Sequence, residues 1–179
     1  MRHALALAFA LLPLAALAEV AEPEGFREDD YRAPVPATLA GATVVDAEAA
    51  HALWQAGEVA FVDVLPRAPK PEGLPEGTIW REKPRHSIPG AIWLPNVGYG
   101  RLAEVTETWF RAGLQKATGG DPAHPVLFFC RADCWMSWNA AKRALGYGYV
   151  NVYWFPEGTD GWTLMDYPTK DLTPEPGGQ

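Results

Sequence analysis

Apolar and polar positions along the chain alternate between a strand-like and a helix-like rhythm. Residues 43–45, Thr-Val-Val, form a short β-branched run. Asp46 follows as a helix cap, with Ala49, Ala50, Leu53 and Trp54 at helical spacing before Gly57. Residues 59–64 are continuously apolar except for Asp63, the pattern of a strand buried on both faces. Residues 91–94 predict another strand. Leu102, Val105, Trp109, Phe110 and Leu114 mark an amphipathic helix stopped by Gly119-Gly120. Residues 126–129 are the most hydrophobic strand, residues 135–145 the most apolar helix with Gly146 after it, and residues 150–155 the last strand. Strands separated by helices in this order predict an α/β fold in three layers, a mainly parallel central sheet with helices on both faces. No internal repeat is present.

Four segments fall outside this rhythm. Residues 1–18 carry Arg2 and His3, an apolar run containing Pro13, and the ending Ala16-Leu17-Ala18 before Glu19, which reads as a secretory signal peptide cleaved after Ala18. The apolar run is too short to span a bilayer comfortably, so no stable membrane span is expected after cleavage, and the location expected is periplasmic. Residues 19–42 are rich in proline and acidic side chains, with Phe26, Tyr31 and Val35 as the sizeable apolar groups, and read as an extended arm laid over the domain. Residues 66–85 hold Pro66, Pro69, Pro71, Pro75 and Pro84 without periodicity, an insertion in the domain spanning 43–167 and of a length usually justified by function. Residues 168–179, with three prolines and two glycines, are expected to fray.

Charge narrows the partners. The chain has a formal charge of −7, one unit more negative once Arg2 leaves with the signal, and no run of lysine and arginine. That argues against nucleic acid or an anionic membrane surface. Cysteine narrows the chemistry. The only two, Cys130 and Cys134, lie in one turn, Cys130-Arg131-Ala132-Asp133-Cys134-Trp135, and in an oxidising compartment such a pair either closes a disulfide or is used chemically.

The turn joins a buried strand to a helix, so the Cys130 sulfur is expected to face unpaired backbone N–H groups and the positive end of the helix dipole. That setting favours an anion: a thiolate, the terminal sulfur of a persulfide, or an oxyanion. Cys130 is therefore the expected nucleophile. Asp133 reads as the helix N-cap, and its charge opposes the thiolate. Cys134, four residues on, can resolve a persulfide or sulfenic acid at Cys130 or hold it as a labile disulfide, the α-carbons reaching within roughly 6 Å of each other.

Four blocks in order resemble the rhodanese superfamily: Ala60-Phe61-Val62-Asp63-Val64; His86-Ser87-Ile88-Pro89-Gly90-Ala91; Pro125-Val126-Leu127-Phe128-Phe129-Cys130; and Ala140 to Tyr147 with Asn151-Val152-Tyr153 and Gly158-Thr159-Asp160-Gly161-Trp162. The resemblance implies a domain whose loop cysteine, here Cys130, takes sulfane sulfur as a persulfide. Arg131, Ala132, Asp133 and Trp135 would complete the substrate or anion cradle. The turn departs from the family in Asp133, where glycine is usual, and in Trp135, where arginine often stands, which disfavours anionic donors such as thiosulfate. The wider string from Cys130 to Arg143, with Ala91 to Gly98, is similar to a narrower group of exported rhodanese-like proteins with a CxxxCW motif. Gene neighbourhood links that group to PQQ-dependent alcohol catabolism and its transport systems. The partners so implied are a small sulfur donor or acceptor, a protein thiol, or a PQQ-dependent dehydrogenase or associated transport system.

Other readings of these residues are plainer. Of the eight tryptophans, Trp80, Trp93, Trp135, Trp138, Trp154 and Trp162 are expected near the active face or core and read as core packing before a quinone-binding wall. His86 lacks a fourth metal ligand beside the two cysteines and reads as a supporting histidine, so no metal is expected. Asp63 either orients a catalytic group or bonds to nearby amides at its strand end. Three functions stay open: a sulfurtransferase using Cys130 alone, a thiol-redox protein using both cysteines, and a noncatalytic binding module. For the first two, the group carried is a persulfide on Cys130 or a Cys130–Cys134 disulfide.

Overall fold

The structure, a computed structural model, describes residues 20–68, 71–81 and 83–177. The signal peptide expected at residues 1–18 lies outside them. Seven strands and four helices follow in the order β1 (Thr43–Val44), α1 (Ala47–Ala56), β2 (Ala60–Asp63), β3 (Arg85–Ser87), β4 (Ile92–Trp93), α2 (Glu104–Thr118), β5 (Val126–Phe129), α3 (Trp135–Gly146), β6 (Val152–Phe155), α4 (Gly158–Leu164) and β7 (Lys170–Leu172). Five strands form one sheet in the order β1-β6-β5-β2-β4, every neighbouring pair parallel. This is the expected α/β fold with a mainly parallel central sheet.

Strand alternation sorts the core into two halves. Val62, Val126, Phe128, Val152 and Trp154 face Phe110 and Leu114 of α2 and the apolar side of α3. Their neighbours Phe61, Leu127, Phe129 and Phe155 face Ala47 and Ala50 of α1 and Trp162 of α4. Each of β5's four residues is buried, which is why the strand reads as a continuous apolar run rather than an alternating one. Local signals set the helix ends. The Asp46 carboxylate accepts the Ala49 N–H at 2.8 Å, and Gly57 closes α1 in the left-handed conformation.

Four segments differ from the sequence reading. Arg85, read as the last residue of the structureless insertion, begins the strand β3. The glycine turn at 158–162 begins a short helix, α4. Gly146 is the last residue of α3 rather than the residue after it. Residues 170–172, in the tail expected to fray, pair antiparallel with β3, and the Glu175 N–H donates to the Trp93 carbonyl at 2.9 Å. A local pattern cannot report such pairing, because the bonds come from strands far away in sequence.

The N-terminal arm runs across α3. Tyr31, Val35 and Leu39 pack on the half of the core that holds α3. Asn139, buried in α3, receives the Arg27 N–H on its side-chain oxygen and donates its amide to the carbonyls of Arg27 and Gly98. A polar side chain thus fills its hydrogen-bonding capacity inside the core by tying the arm down.

Candidate active site at the β5–α3 turn

Strand register brings the site together. Asp63 at the end of β2 lies beside Phe129 at the end of β5, and Phe129 beside Phe155 of β6. The chain passes from β2 to β4 on one side and then to β5 on the other, so Cys130 leaves the sheet where the strand order reverses. That is where parallel sheets leave a crevice.

Cys130 and Cys134 are joined by a disulfide with α-carbons 6.3 Å apart, and both are buried, at 0% and 2% exposure. The Cys130 carbonyl receives three donors at 3.1 Å: the Thr159 N–H, the Thr159 hydroxyl and Arg85 Nη2. Arg85 also donates from Nε to Asp63 Oδ2 at 2.6 Å and from Nη1 to the Thr159 hydroxyl at 3.3 Å. Ser87 donates to the same Asp63 oxygen, and the Leu65 N–H to Oδ1 at 2.9 Å. Burial pushes the Asp63 carboxyl above the usual aspartate range, against the opposing pull of Arg85, then of Ser87 and the Leu65 N–H. The guanidinium therefore couples the end of β2 to the backbone of the cysteine turn. A further brace is steric. Gly158 holds φ at 53°, and a β-carbon there would sit 2.7 Å from the Arg131 nitrogen and from the Cys130 carbonyl group.

The expected cradle residues divide. Arg131 is exposed, with Nε 3.5 Å from Asp160. The Ala132 carbonyl receives Arg32 Nη1 at 2.6 Å. Asp133 is not the helix cap: it takes a left-handed φ of 50°, and Cys134 occupies the N-cap position without a side-chain cap bond. Short acidic side chains adopt that conformation more readily than most, so Asp133 turns the chain rather than closing the helix. Trp135 is buried against the arm. Its backbone N–H donates to the Tyr31 carbonyl at 3.0 Å and its indole to the Pro34 carbonyl at 3.1 Å. One of the amides expected to face an anion is therefore already occupied.

His86 stands outward on β3, its ring Nδ1 against the Asp171 carboxylate of β7. The residues on either side of it, Arg85 and Ser87, point inward to Asp63. The sequence reading missed Arg85, Ser87 and Thr159. The available signal was the demand of a buried strand-end carboxylate for a cation, combined with the two-residue period of a strand.

The description that matches the chain, rhodanese-like domain, covers residues 46–165. The chain belongs to the rhodanese-like family. Solved structures similar to this rhodanese-like chain include a polysulfide-sulfur transferase homodimer from Wolinella succinogenes, at 21% identity, TM-score 0.48, covering 75% of this chain and 82% of that one. A thiosulfate sulfurtransferase from Pseudomonas aeruginosa matches at 22% identity and TM-score 0.49, over 75% of this chain and 21% of that one. A full-length protein from Lactobacillus plantarum matches at 20% identity and TM-score 0.47, over 72% and 88%. No curated protein gives a match.

Proposed function

We propose that this rhodanese-like protein works in the periplasm as a paired-cysteine sulfur or redox carrier, accessory to PQQ-dependent alcohol oxidation. The observation that carries the reading is the Cys130–Cys134 pair at the carboxyl end of the central strand, its carbonyl held by Arg85 and Thr159. The periplasmic and PQQ-linked parts rest on the leader-like residues 1–18 and on the CxxxCW string.

In the reduced protein the Cys130 thiolate attacks the sulfane sulfur of a thiosulfonate. A cysteine–sulfur bond forms, the donor's sulfur–sulfur bond breaks, and a sulfinate leaves. Cys134 then attacks the Cys130 sulfur, expelling hydrosulfide and closing the disulfide. The two thiols have supplied two electrons, and a dithiol reductant restores them. Used without a donor, the same pair is a two-electron thiol–disulfide couple. Burial of both sulfurs favours the alternative, a noncatalytic accessory module on the same scaffold.

Intact mass measurement separates these outcomes. Reduced protein treated with a thiosulfonate is expected to gain one sulfur when Cys134 is replaced by serine, and to lose two protons as the disulfide when Cys134 is present. Mild dithiol should reverse the second change. A mass unchanged by donor, oxidant and reductant would leave only the accessory module.

A further inference from the structure

A cavity of about 660 Å³ opens beside the cysteine turn, walled by the Pro-rich insertion on one side and by Arg131 and Thr159 on the other. Five cationic side chains line it: Arg67, Arg81, Lys83, Arg85 and Arg131. The chain has 15 lysines and arginines and a net charge of −7, so a third of its basic residues surround one cavity of an acidic molecule. Of the described acidic residues only Asp160 lines it, while Glu72 and Glu76 of the same insertion do not. Asp63 engages Arg85 and Asp160 lies near Arg131, but no described acidic side chain pairs with Arg81 or Lys83. Among the described residues the lining therefore carries more positive than negative charge, with Arg81 and Lys83 supplying the excess, which favours an anion.

The walls say which anion. Trp80 and the buried Trp93 face the cavity together with Leu65, Pro66 and Pro71. A sulfate-sized ion needs neither that volume nor an apolar wall, whereas a flat organic body fills the space and stacks on the part-exposed Trp80. Arginine adds planar, two-pronged recognition of carboxylates.

We infer that this cavity is a binding site for a small aromatic polycarboxylate, held by Arg81, Lys83 and Arg131 and stacked against Trp80. The site goes beyond the sulfur chemistry proposed above and does not depend on it. It also supplies a physical reason for an insertion of this length: the loop brings Trp80, Arg81 and Lys83 to the cavity beside the turn, where β3 contributes Arg85 and His86.

The test uses the full oxidised protein, in which the cysteines are closed and sulfur transfer cannot run, so failure of that chemistry leaves the result untouched. Naphthalene-2,6-dicarboxylate is titrated by calorimetry and tryptophan fluorescence, with sulfate as the control anion. The expected result is saturable one-to-one binding that weakens with added salt and is at least about fivefold weaker in R81E/K83E, two exposed positions where reversal spares the core. W80A should weaken it as well. Absence of saturable binding, a loss in R81E/K83E smaller than about fivefold, or sulfate bound as tightly as the dicarboxylate would overturn the inference.

Discussion

Replacing Arg85 with methionine strands the Asp63 carboxylate in the core. Asp63 is fully buried and Arg85 is 8% exposed, and their contact is 2.6 Å. Removing one partner of a buried pair costs about 3–5 kcal/mol, because the remaining charge has lost water and gained nothing in return. Ser87 and the Leu65 N–H still donate to Asp63, which places the expected loss near the lower end, about 3 kcal/mol. In a domain of this size that corresponds to a fall in Tm of roughly 6–12 °C.

The sign of the pH dependence follows from the carboxyl. Burial already raises it, and without Arg85 its main opponent is gone, so its folded-state pKa rises further. A carboxyl raised above its unfolded value of about 3.9 contributes stability that is fully present below that value and is lost as pH rises through the folded value. The deficit of R85M against the parent should therefore be smallest near pH 5 and grow toward pH 8. Urea unfolding of the oxidised proteins, followed by tryptophan fluorescence at both pH values, measures it. The double variant D63L/R85M should recover part of the loss at pH 8, since it removes the stranded charge. A deficit below about 1 kcal/mol, or one equal at the two pH values, would refute the reasoning.

Three other outcomes are expected. G158A should destabilise the domain by about 2 kcal/mol or more, since a β-carbon there meets the Cys130 and Arg131 backbone at a positive φ; unfolding at the parent's urea midpoint would contradict this. Removing residues 20–35 should speed reduction of the Cys130–Cys134 disulfide by a small dithiol about tenfold or more, because the arm bonds at Tyr31, Arg32 and Pro34 cover the turn; an unchanged rate would mean the shielding lies elsewhere. Burial, with the charge of Glu107, pushes the Tyr147 hydroxyl up to about 12. Its stabilising share is thus present below pH 10 and lost between pH 10 and 12, and Y147F should lose less stability over that interval than the parent.

The amino-acid sequence by itself determined α1, α2, α3 and the strands of the central sheet, with their layering. Asp46 and Gly57 bracket α1 through bonds made within a few residues, and the uninterrupted apolar run of β5 demands cover on both faces, so both are written in local order. The cysteine pair was legible for the same reason, since four residues separate Cys130 from Cys134. Tertiary structure decided everything that joins distant segments. Asp63, Arg85, Ser87 and Thr159 meet only because β2, β3 and the start of α4 converge on one end of the sheet. In β3 the strand period turned His86 outward and its two neighbours in. The tail folds back as β7 through backbone bonds that any sequence can make, and Asp133 gave up the cap position because the turn requires a left-handed residue there. The cavity beside the turn belongs to the same class. Its charges come from positions 67 to 131, and no local pattern in an acidic chain places them around one space.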